Sequence, residues 1–244
     1  MMTSCRPDLA HAVSQLSRVQ ANPGRVHWRQ LMHVCRYLRG TRTHGVSFRR
    51  MDGANEEKHV VTSYADAAWA DIRGGIGDKN APQAGHSSLG YILSMNGGPI
   101  TWKSKVSCSI ALSSAEAELF ASVHCAKEIA HIRRLCKLLG IEQLEPTTMY
   151  DDSTAAIAIN NSDATTARLR HIEIKWFFVR QLREQGLVRM KKIHTDGNVS
   201  DHLTKALAAP KFCKPRDMMV SEKIAGATKM LKVMATGWGQ FNAW

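Results

Sequence analysis

The chain has 244 residues, of which 44% are hydrophobic, so it can build a core and is not expected to be disordered throughout. No apolar run approaches the roughly 18 residues that a membrane span needs, and no membrane partner is expected. The net charge of +12 favours a polyanionic partner such as nucleic acid, although a basic protein without such a partner would have the same composition.

The cysteines and histidines argue against a disulfide framework and against structural zinc. No two cysteines have C-x-x-C spacing, and the histidines do not cluster as zinc ligands. The six cysteines therefore read as reduced thiols that mostly fill the core, which predicts an intracellular protein, in a cytoplasmic particle or the nucleus.

Two amphipathic helices and a short strand are predicted over residues 1–50. Apolar residues at helical spacing predict a helix over 7–20 and another over 25–38, with Gly40 as the C-cap of the second. A strand is predicted over 45–48. Elements this short bury little by themselves, so we expect them to pack on a neighbour.

Strands and helices then alternate in the order β-β-β-α-β-α-α-β-α, which predicts a mixed sheet flanked by helices in the α/β class. The long helix is predicted to begin at a capping box, Ser113 with Glu116, and to reach Leu139. Asn-Gly-Gly-Pro at 96–99 predicts a hairpin turn. The predicted strands are 59–64, 89–95, 100–103, 147–150 and 187–193, with 107–112 as a candidate continuation; the remaining helices are 153–159, 172–183 and 199–207.

This alternation also suggests a division of the chain. Residues 1–50 form an N-terminal unit, 51–58 a linker, 59–210 the α/β domain and 211–244 a C-terminal tail. Residues 71–86, rich in glycine and aspartate, are predicted to form a long loop within the domain.

Four carboxylates, those of Asp66, Glu118, Asp152 and Asp201, lie next to predicted apolar elements, from which a rigid scaffold could direct them into one cleft. Hydrolysis of a phosphodiester requires an activated water and a stabilised leaving oxygen, and two magnesium ions about 4 Å apart provide both. Magnesium prefers carboxylate oxygens, and its charge would offset the crowding of acids. Each acid alone is weak evidence, because aspartate at a strand end is often a turn former or an N-cap.

Two neighbouring acids serve as contrasts. Glu116 shares the helix start with Glu118, but its place in the capping box predicts a structural role. Asp151 precedes Asp152, and strand alternation predicts that one of the two faces the cleft and the other faces away.

Six ordered segments resemble the ribonuclease H of copia-type retrotransposon polyproteins, a match that extends over roughly residues 60–210. The most distinctive of them surrounds Glu118. The segments are YADAAWA at 64–70, GGPITWKSK at 97–105, ALSSAEAE at 111–118, YDDSTAA at 150–156, RHIEI at 170–174 and SDHLTK at 200–205.

The resemblance implies a ribonuclease H-like five-stranded mixed sheet and cleavage of the RNA strand of an RNA–DNA hybrid. By motif position, Asp66, Glu118, Asp152 and Asp201 would be the catalytic and metal-binding residues, holding two Mg²⁺ ions for which Mn²⁺ can substitute. The chain departs from the family's pattern at Ala68, where the family usually has aspartate, and at Ser153 and Ser200.

Residues 1–50 also resemble the end of the reverse transcriptase that precedes this nuclease in such polyproteins, through RPDL at 6–9 and YLRGT at 37–41. The polymerase's catalytic segment is absent from the chain. The resemblance implies that the reverse transcriptase portion of the parent polyprotein is a partner.

Recognition of a hybrid is expected to rest on its shape and backbone. The candidate nucleic-acid-binding residues are Lys103, Lys105, Ser114, Arg168, Arg170 and Lys175, and His171 and His194 are candidate auxiliary residues. For each cation, a solvated surface charge is an equally good reading, and capping explains at least one of the two serines at 113 and 114.

Two other functions fit the same residues less well. The chain could be an inactive remnant of a retroelement that only binds nucleic acid. It could also be a transposase or integrase, but those enzymes order their acids differently and usually carry zinc-binding His and Cys residues that are missing here.

Overall fold

A five-stranded mixed sheet forms the centre of the protein. In this computed structural model residues 5–49, 59–72, 84–161 and 173–221 are described, without the side chains of 173–176. The predicted linker at 51–58, most of the predicted loop at 71–86 and the tail from 222 onwards lie outside these residues.

The elements follow the predicted order, including the short strand expected at 45–48, and one helix and one short strand are added at the C-terminal end of the described residues. The strands are β1 (Gly45–Val46), β2 (Thr62–Ala68), β3 (Ser88–Met95), β4 (Gly98–Val106), β5 (Thr147–Asp151), β6 (Val188–Lys192) and β7 (Val220–Ser221). The α-helices are α1 (Ala10–Ser17), α2 (Arg25–Gly40), α3 (Ser114–Leu138), α4 (Thr154–Asn161), α5 (Glu173–Glu184) and α6 (Ala209–Met219), and 3₁₀ helices span Pro7–Leu9, Thr195–Gly197 and Val199–Leu203.

The strand order in the sheet is β4-β3-β2-β5-β6. Strands β2, β3 and β4 form an antiparallel meander, whereas β5 and β6 run parallel to β2. The predicted mixed five-stranded sheet with flanking helices and an N-terminal helical segment is thereby confirmed. Because β2 is central and pairs on both sides, residues in it are held rigidly.

The predicted hairpin between β3 and β4 turns at Asn96 and Gly97. Their φ values are 53° and 72°, in the left-handed region. A two-residue turn of this kind matches the right-handed twist of the strands and favours Asn-Gly.

Helix α3 covers one face of the sheet. Small buried residues on α3, among them Ala117, Ala121 and Cys125, allow its backbone to approach the strands closely. Leu89, Leu93 and other strand residues complete this core. Burial of apolar area of this kind is the main favourable contribution to folding.

The opposite face is covered by α1, α6 and the 3₁₀ helix Val199–Leu203. Ala10, Ile92, Leu203 and Met219 belong to one buried cluster, so both ends of the described chain contribute to it. The pairing of β1 with β7 joins these ends directly. The boundaries proposed at 50 and 210 stay predictions, but the described residues beyond them pack on the sheet.

A buried ion pair fixes the N-terminal segment. Arg6 Nη2 lies 2.7 Å from Asp8 Oδ2, and Arg6 also donates to the carbonyl and hydroxyl of Thr41 at 3.0 and 2.8 Å. The Tyr37 hydroxyl donates to the same Asp8 oxygen at 2.7 Å. With both charges multiply hydrogen-bonded, the cost of burying them is offset.

Several local predictions are wrong. The helix expected over 199–207 is the 3₁₀ helix Val199–Leu203, and the strand expected over 59–64 is Thr62–Ala68. Residues 107–112 do not extend the sheet, because β3 begins at Ser88, whose partner is Val106, so no strand remains to pair with them. The first helix begins as a 3₁₀ turn and ends at Ser17. Gly40 is the last residue of α2, and Thr41 follows as the cap, its hydroxyl donating to the Tyr37 carbonyl at 2.8 Å.

No disulfide joins any two of the six cysteines, all of which lie in the described residues, and Cys125 and Cys136 are buried. The expectation that the cysteines mostly fill the core is wrong, because Cys5, Cys35 and Cys108 are exposed and Cys213 is only partly buried. Among the described residues, no helix combines the length and the apolar character that crossing a bilayer requires.

Candidate functional site

Asp66, Glu118 and Asp152 converge at one point beside the sheet. One carboxylate oxygen from each lies within 4.8 Å of the other two. Strands β2 and β5 run parallel and pair as far as Tyr64 and Tyr150, whose rings stack with centroids 5.1 Å apart. Each aspartate follows its tyrosine by two residues, so alternation directs both to the same face of the sheet.

Glu118 reaches the same point because of where α3 begins. The Ser113 hydroxyl accepts from the Glu116 amide at 3.2 Å, and the Glu116 carboxylate accepts from the Leu112 amide at 2.7 Å. These bonds fix the first turn of the helix. Glu118 follows two residues later, so the structural role predicted for Glu116 is confirmed.

Two of the three acids are buried and lack partners for one oxygen each. Asp66 is 1% exposed and Glu118 is 8% exposed. Among the described residues, Asp66 Oδ1 and Glu118 Oε2 are buried without a hydrogen-bond partner. A buried oxygen without a donor is unfavourable, and a divalent cation is the partner that carboxylates gathered in this way accept best. The residues present therefore fit a metal site.

The electrostatics of the cluster also favour a bound cation. Burial raises the pKa of Glu118 to about 10, and the nearby charge of Asp66 adds to the effect. Burial also raises the pKa of Asp66 to about 6, although the Lys205 ammonium and the Thr204 hydroxyl oppose the shift. A group of acids that resists ionisation is one that additional positive charge would stabilise.

Asp201 joins the cluster through a lysine. Lys205 Nζ lies 2.7 Å from Asp201 Oδ1 and 3.5 Å from Asp66 Oδ2. Burial lowers the pKa of Lys205, but the charges of Asp66 and Asp201 outweigh burial and raise it. The structure thus brings three of the four predicted acids into one group and links the fourth to it by an ammonium.

The turn that carries Asp201 is held against the sheet by hydrogen bonds and close packing. Asn198 donates to the Ala65 carbonyl at 3.0 Å, and the Thr204 hydroxyl donates to Asp66 Oδ2. Gly90 pairs with Asp66 in the sheet, and a Cβ at Gly90 would lie 2.8 Å from Leu203 Cβ. The absence of a side chain at position 90 therefore lets the turn approach Asp66.

Asp151 is buried next to the cluster but is directed elsewhere. Its carboxylate accepts from the Ser153 amide at 2.7 Å and from the Ser122 hydroxyl at 3.2 Å. Burial raises the pKa of Asp151 to about 7 against these two hydrogen bonds. The two neighbouring aspartates thus have separate surroundings, with Asp152 in the carboxylate group.

The other predicted binding residues are only partly placed. Lys103 is exposed on β4, whereas Lys105 Nζ lies 3.2 Å from His124 Nε2, and Ser114 is exposed as the first residue of α3. His194 is exposed beside Asp196 and accepts from its amide at 3.3 Å. Arg168, Arg170 and His171 lie outside the described residues, as does the side chain of Lys175.

Comparison with known proteins identifies relatives over most of the chain. The chain is 35% identical over 215 residues to the retrovirus-related Pol polyprotein from transposon TNT 1-94 of Nicotiana tabacum, covering 87% of the chain and 15% of the polyprotein. It is 32% identical over 207 residues to the retrovirus-related Pol polyprotein from transposon RE2 of Arabidopsis thaliana. That match covers 85% of the chain and 13% of the polyprotein. The chain is a homologue of these transposon Pol polyproteins.

This Pol homologue spans about a seventh of the length of those relatives. It is also 38% identical over 128 residues to the secreted RxLR effector protein 161 of Plasmopara viticola, covering 52% of the chain and 80% of that protein. No family model matches the chain.

Solved structures with a partly similar shape include ribonuclease H domains. One is RNase H1 from Halobacterium salinarum, with a TM-score of 0.41, 18% identity and coverage of 59% of this chain and 93% of that one. Another is the protease–reverse transcriptase of prototype foamy virus, with a TM-score of 0.43 and 13% identity. That match covers 66% of this chain and 23% of that one. The sheet topology described above, rather than these scores, carries the fold assignment.

Sequence reasoning assigned no role to Lys205, Thr204 or Asn198. The spacing of Asp201 and Lys205, four residues apart within the helix predicted over 199–207, is the signal that could have identified the ion pair. No local signal indicates that Asn198 reaches Ala65, which is 133 residues away along the chain.

Proposed function

We propose that this Pol homologue is a copia-type ribonuclease H that cleaves the RNA strand of RNA–DNA hybrids. The observation that carries the proposal is the group formed by Asp66, Glu118 and Asp152, whose oxygens lie within 4.8 Å of one another, two of them buried without a partner. A dense carboxylate group of this kind is suited to phosphodiester hydrolysis with divalent cations.

Asp66, Glu118 and Asp152 would hold the cations, and Asp201, now paired with Lys205, is the fourth candidate ligand. We propose two Mg²⁺ ions, with Mn²⁺ as a substitute, because both prefer carboxylate oxygens. Such ions, when bound, activate the attacking water and stabilise the leaving oxygen. Lys205 supplies positive charge to Asp66 and Asp201, and Thr204 orients Asp66 by donating to it.

The substrate proposal rests on charge as well as on the site. The chain carries a net charge of +12, which offsets the repulsion between phosphates and the acid group. We propose the hybrid and the reverse transcriptase portion of the parent polyprotein as partners. Lys103, Lys105 and Ser114 remain candidates for backbone contacts.

The test is cleavage of an 18-base-pair RNA–DNA hybrid with 5′-labelled RNA, in Mg²⁺ and in EDTA. We expect products only in Mg²⁺ or Mn²⁺, and a loss of at least about 100-fold in Asp152→Asn. Asp217→Asn, which removes an exposed acid on α6, is the matched control and should cleave normally. A folded protein that leaves the hybrid intact would refute the activity.

A non-catalytic remnant is the second candidate, and the position of Lys205 favours it. Its ammonium contacts Asp66 and Asp201, where it would compete with a cation for the same oxygens. In that case hybrid would be bound equally well by the unmodified chain and by Asp152→Asn, with no cleavage by either.

A further inference from the structure

The N-terminal part of the chain has an unusual charge pattern. Between Asp8 and Asp52, residues 9–51 contain eight arginines, no lysine and no acidic residue. This segment alone carries a charge of +8, two thirds of the net surplus of +12. The basic surplus is therefore concentrated in the segment that contains α1 and α2.

Four of these arginines lie on one face of α2. At 100° per residue, Arg25, Arg29, Arg36 and Arg39 fall within an arc of about 80°, and they extend over about 21 Å of the helix axis. All four are exposed, and none of them forms an ion pair with another described residue. We call this stripe the arginine face.

The side of α2 that carries Tyr37, about 120° from Arg25 around the helix, attaches the helix to the rest of the protein. Tyr37 donates to Asp8 and packs edge-on against Phe212 of α6, with ring centroids 5.8 Å apart. Helix α2 also contacts α1, and α1 contacts the 3₁₀ helix that carries Asp201. The exposed arginine face is therefore separated from the turn that carries Asp201 by two successive helix packings, roughly 20 Å at about 8–10 Å between helix axes.

The residues beside the arginine face suit nucleic acid. Trp28 is 63% exposed and lies about 60° from Arg25 around the helix, where its ring is available for a base. Arginine binds phosphate oxygens in bidentate fashion, and residues 9–51 contribute no carboxylate that would repel a phosphate backbone. A protein partner would explain exposed Trp28 and Met32 but not the complete absence of acids.

We propose that the arginine face of α2 is a second nucleic-acid-binding surface, which contacts phosphates of a duplex whose other part lies at the carboxylate group. The proposal rests on the proposed function for the identity of the nucleic acid. An 18-base-pair duplex is on the order of 50–60 Å long, enough to reach both places.

The test measures binding of the fluorescently labelled 18-base-pair hybrid to the full chain carrying Asp152→Asn, over a series of KCl concentrations. Arg29→Gln with Arg36→Gln removes two charges from the arginine face. Arg134→Gln with Lys137→Gln, the matched control, removes two exposed charges from the far end of α3, about 24 Å along the helix from Glu118.

We expect the arginine-face variant to bind about 10-fold more weakly at 100 mM KCl. Each lost phosphate contact reduces the slope of log K against log salt by roughly 0.7–0.9, so the slope should fall by about 1.5. Arg29→Lys with Arg36→Lys, which keeps the charges, should retain most of the slope. Circular dichroism of each variant establishes that it is folded; glutamine keeps the helix propensity of arginine.

Equal affinity and slope in the arginine-face variant and the α3 control would overturn the proposal. So would a change in oligomeric state without any change in hybrid binding, which would make α2 a protein-contact surface. If the hybrid is cleaved but binding is insensitive to the arginine face, this inference fails alone. If binding depends on the arginine face but no cleavage occurs, the proposed catalytic function fails instead.

Discussion

Replacing Glu118 with glutamine should stabilise the metal-free protein, although it removes a proposed catalytic residue. Glu118 is 8% exposed, and burial raises its pKa from an ordinary value of 4.5 to about 10. The folded state therefore keeps a proton that the unfolded chain releases above pH 4.5. Because the folded state binds more protons in this window, its stability falls as the pH rises from 4.5 towards 10.

The size of this effect follows from the difference between the pH and the ordinary pKa. At 1.36 kcal/mol per unit, Glu118 costs at most about 4 kcal/mol at pH 7.5 and about 1 kcal/mol at pH 5. Glutamine keeps nearly the same shape without this cost. We therefore expect Glu118→Gln to be more stable than the unmodified protein in EDTA, with an advantage that shrinks by about 3 kcal/mol on acidification.

Urea unfolding in EDTA at pH 7.5 and pH 5, followed by circular dichroism, gives the two free energies of unfolding. Glu116→Gln, one helical half-turn earlier, is the control, because that carboxylate caps the helix and lies outside the acid group. Adding Mg²⁺ should stabilise the unmodified protein and have less effect on Glu118→Gln. A variant that is less stable at pH 7.5, or whose advantage is independent of pH, would refute the reasoning.

Three further predictions concern the surroundings of the site. Lys205→Met removes the ammonium that pairs with Asp66 and Asp201. Because the lysine is 41% exposed, the loss should destabilise the metal-free protein by only about 1 kcal/mol in urea unfolding. Gly90→Ala should cost about 1–3 kcal/mol and lower hybrid cleavage more than unfolding explains, because the new Cβ displaces the turn that carries Asp201. Burial lowers the pKa of His11, so the unfolded chain takes up a proton below about pH 6.5 that the folded state does not, and stability should fall there. Between pH 7.5 and 5.5, the melting temperature of His11→Gln should fall less than that of the unmodified protein.

The strands and the long helix could be predicted from the sequence because their signals are local. The Asn-Gly turn at 96–97 and the capping box at Ser113 each depend on residues within a few positions, and both are present in the structure. Where a boundary depends on a neighbouring strand, prediction failed: residues 107–112 have strand-like composition, but β3 offers them no partner. The choice of Glu118 over Glu116 as the inward-facing acid was also local, since the capping role occupies Glu116.

The sequence by itself determined which acids lie on or beside rigid elements, and therefore which residue types can meet. Only the tertiary structure decided how they meet: Asp66, Glu118 and Asp152 within 4.8 Å, and Asp201 joined to them through Lys205. It also decided that both ends of the described chain cover one face of the sheet, through the pairing of β1 with β7. Local patterns arise from neighbours along the chain, whereas these contacts join residues far apart in sequence, and packing of the whole core selects them.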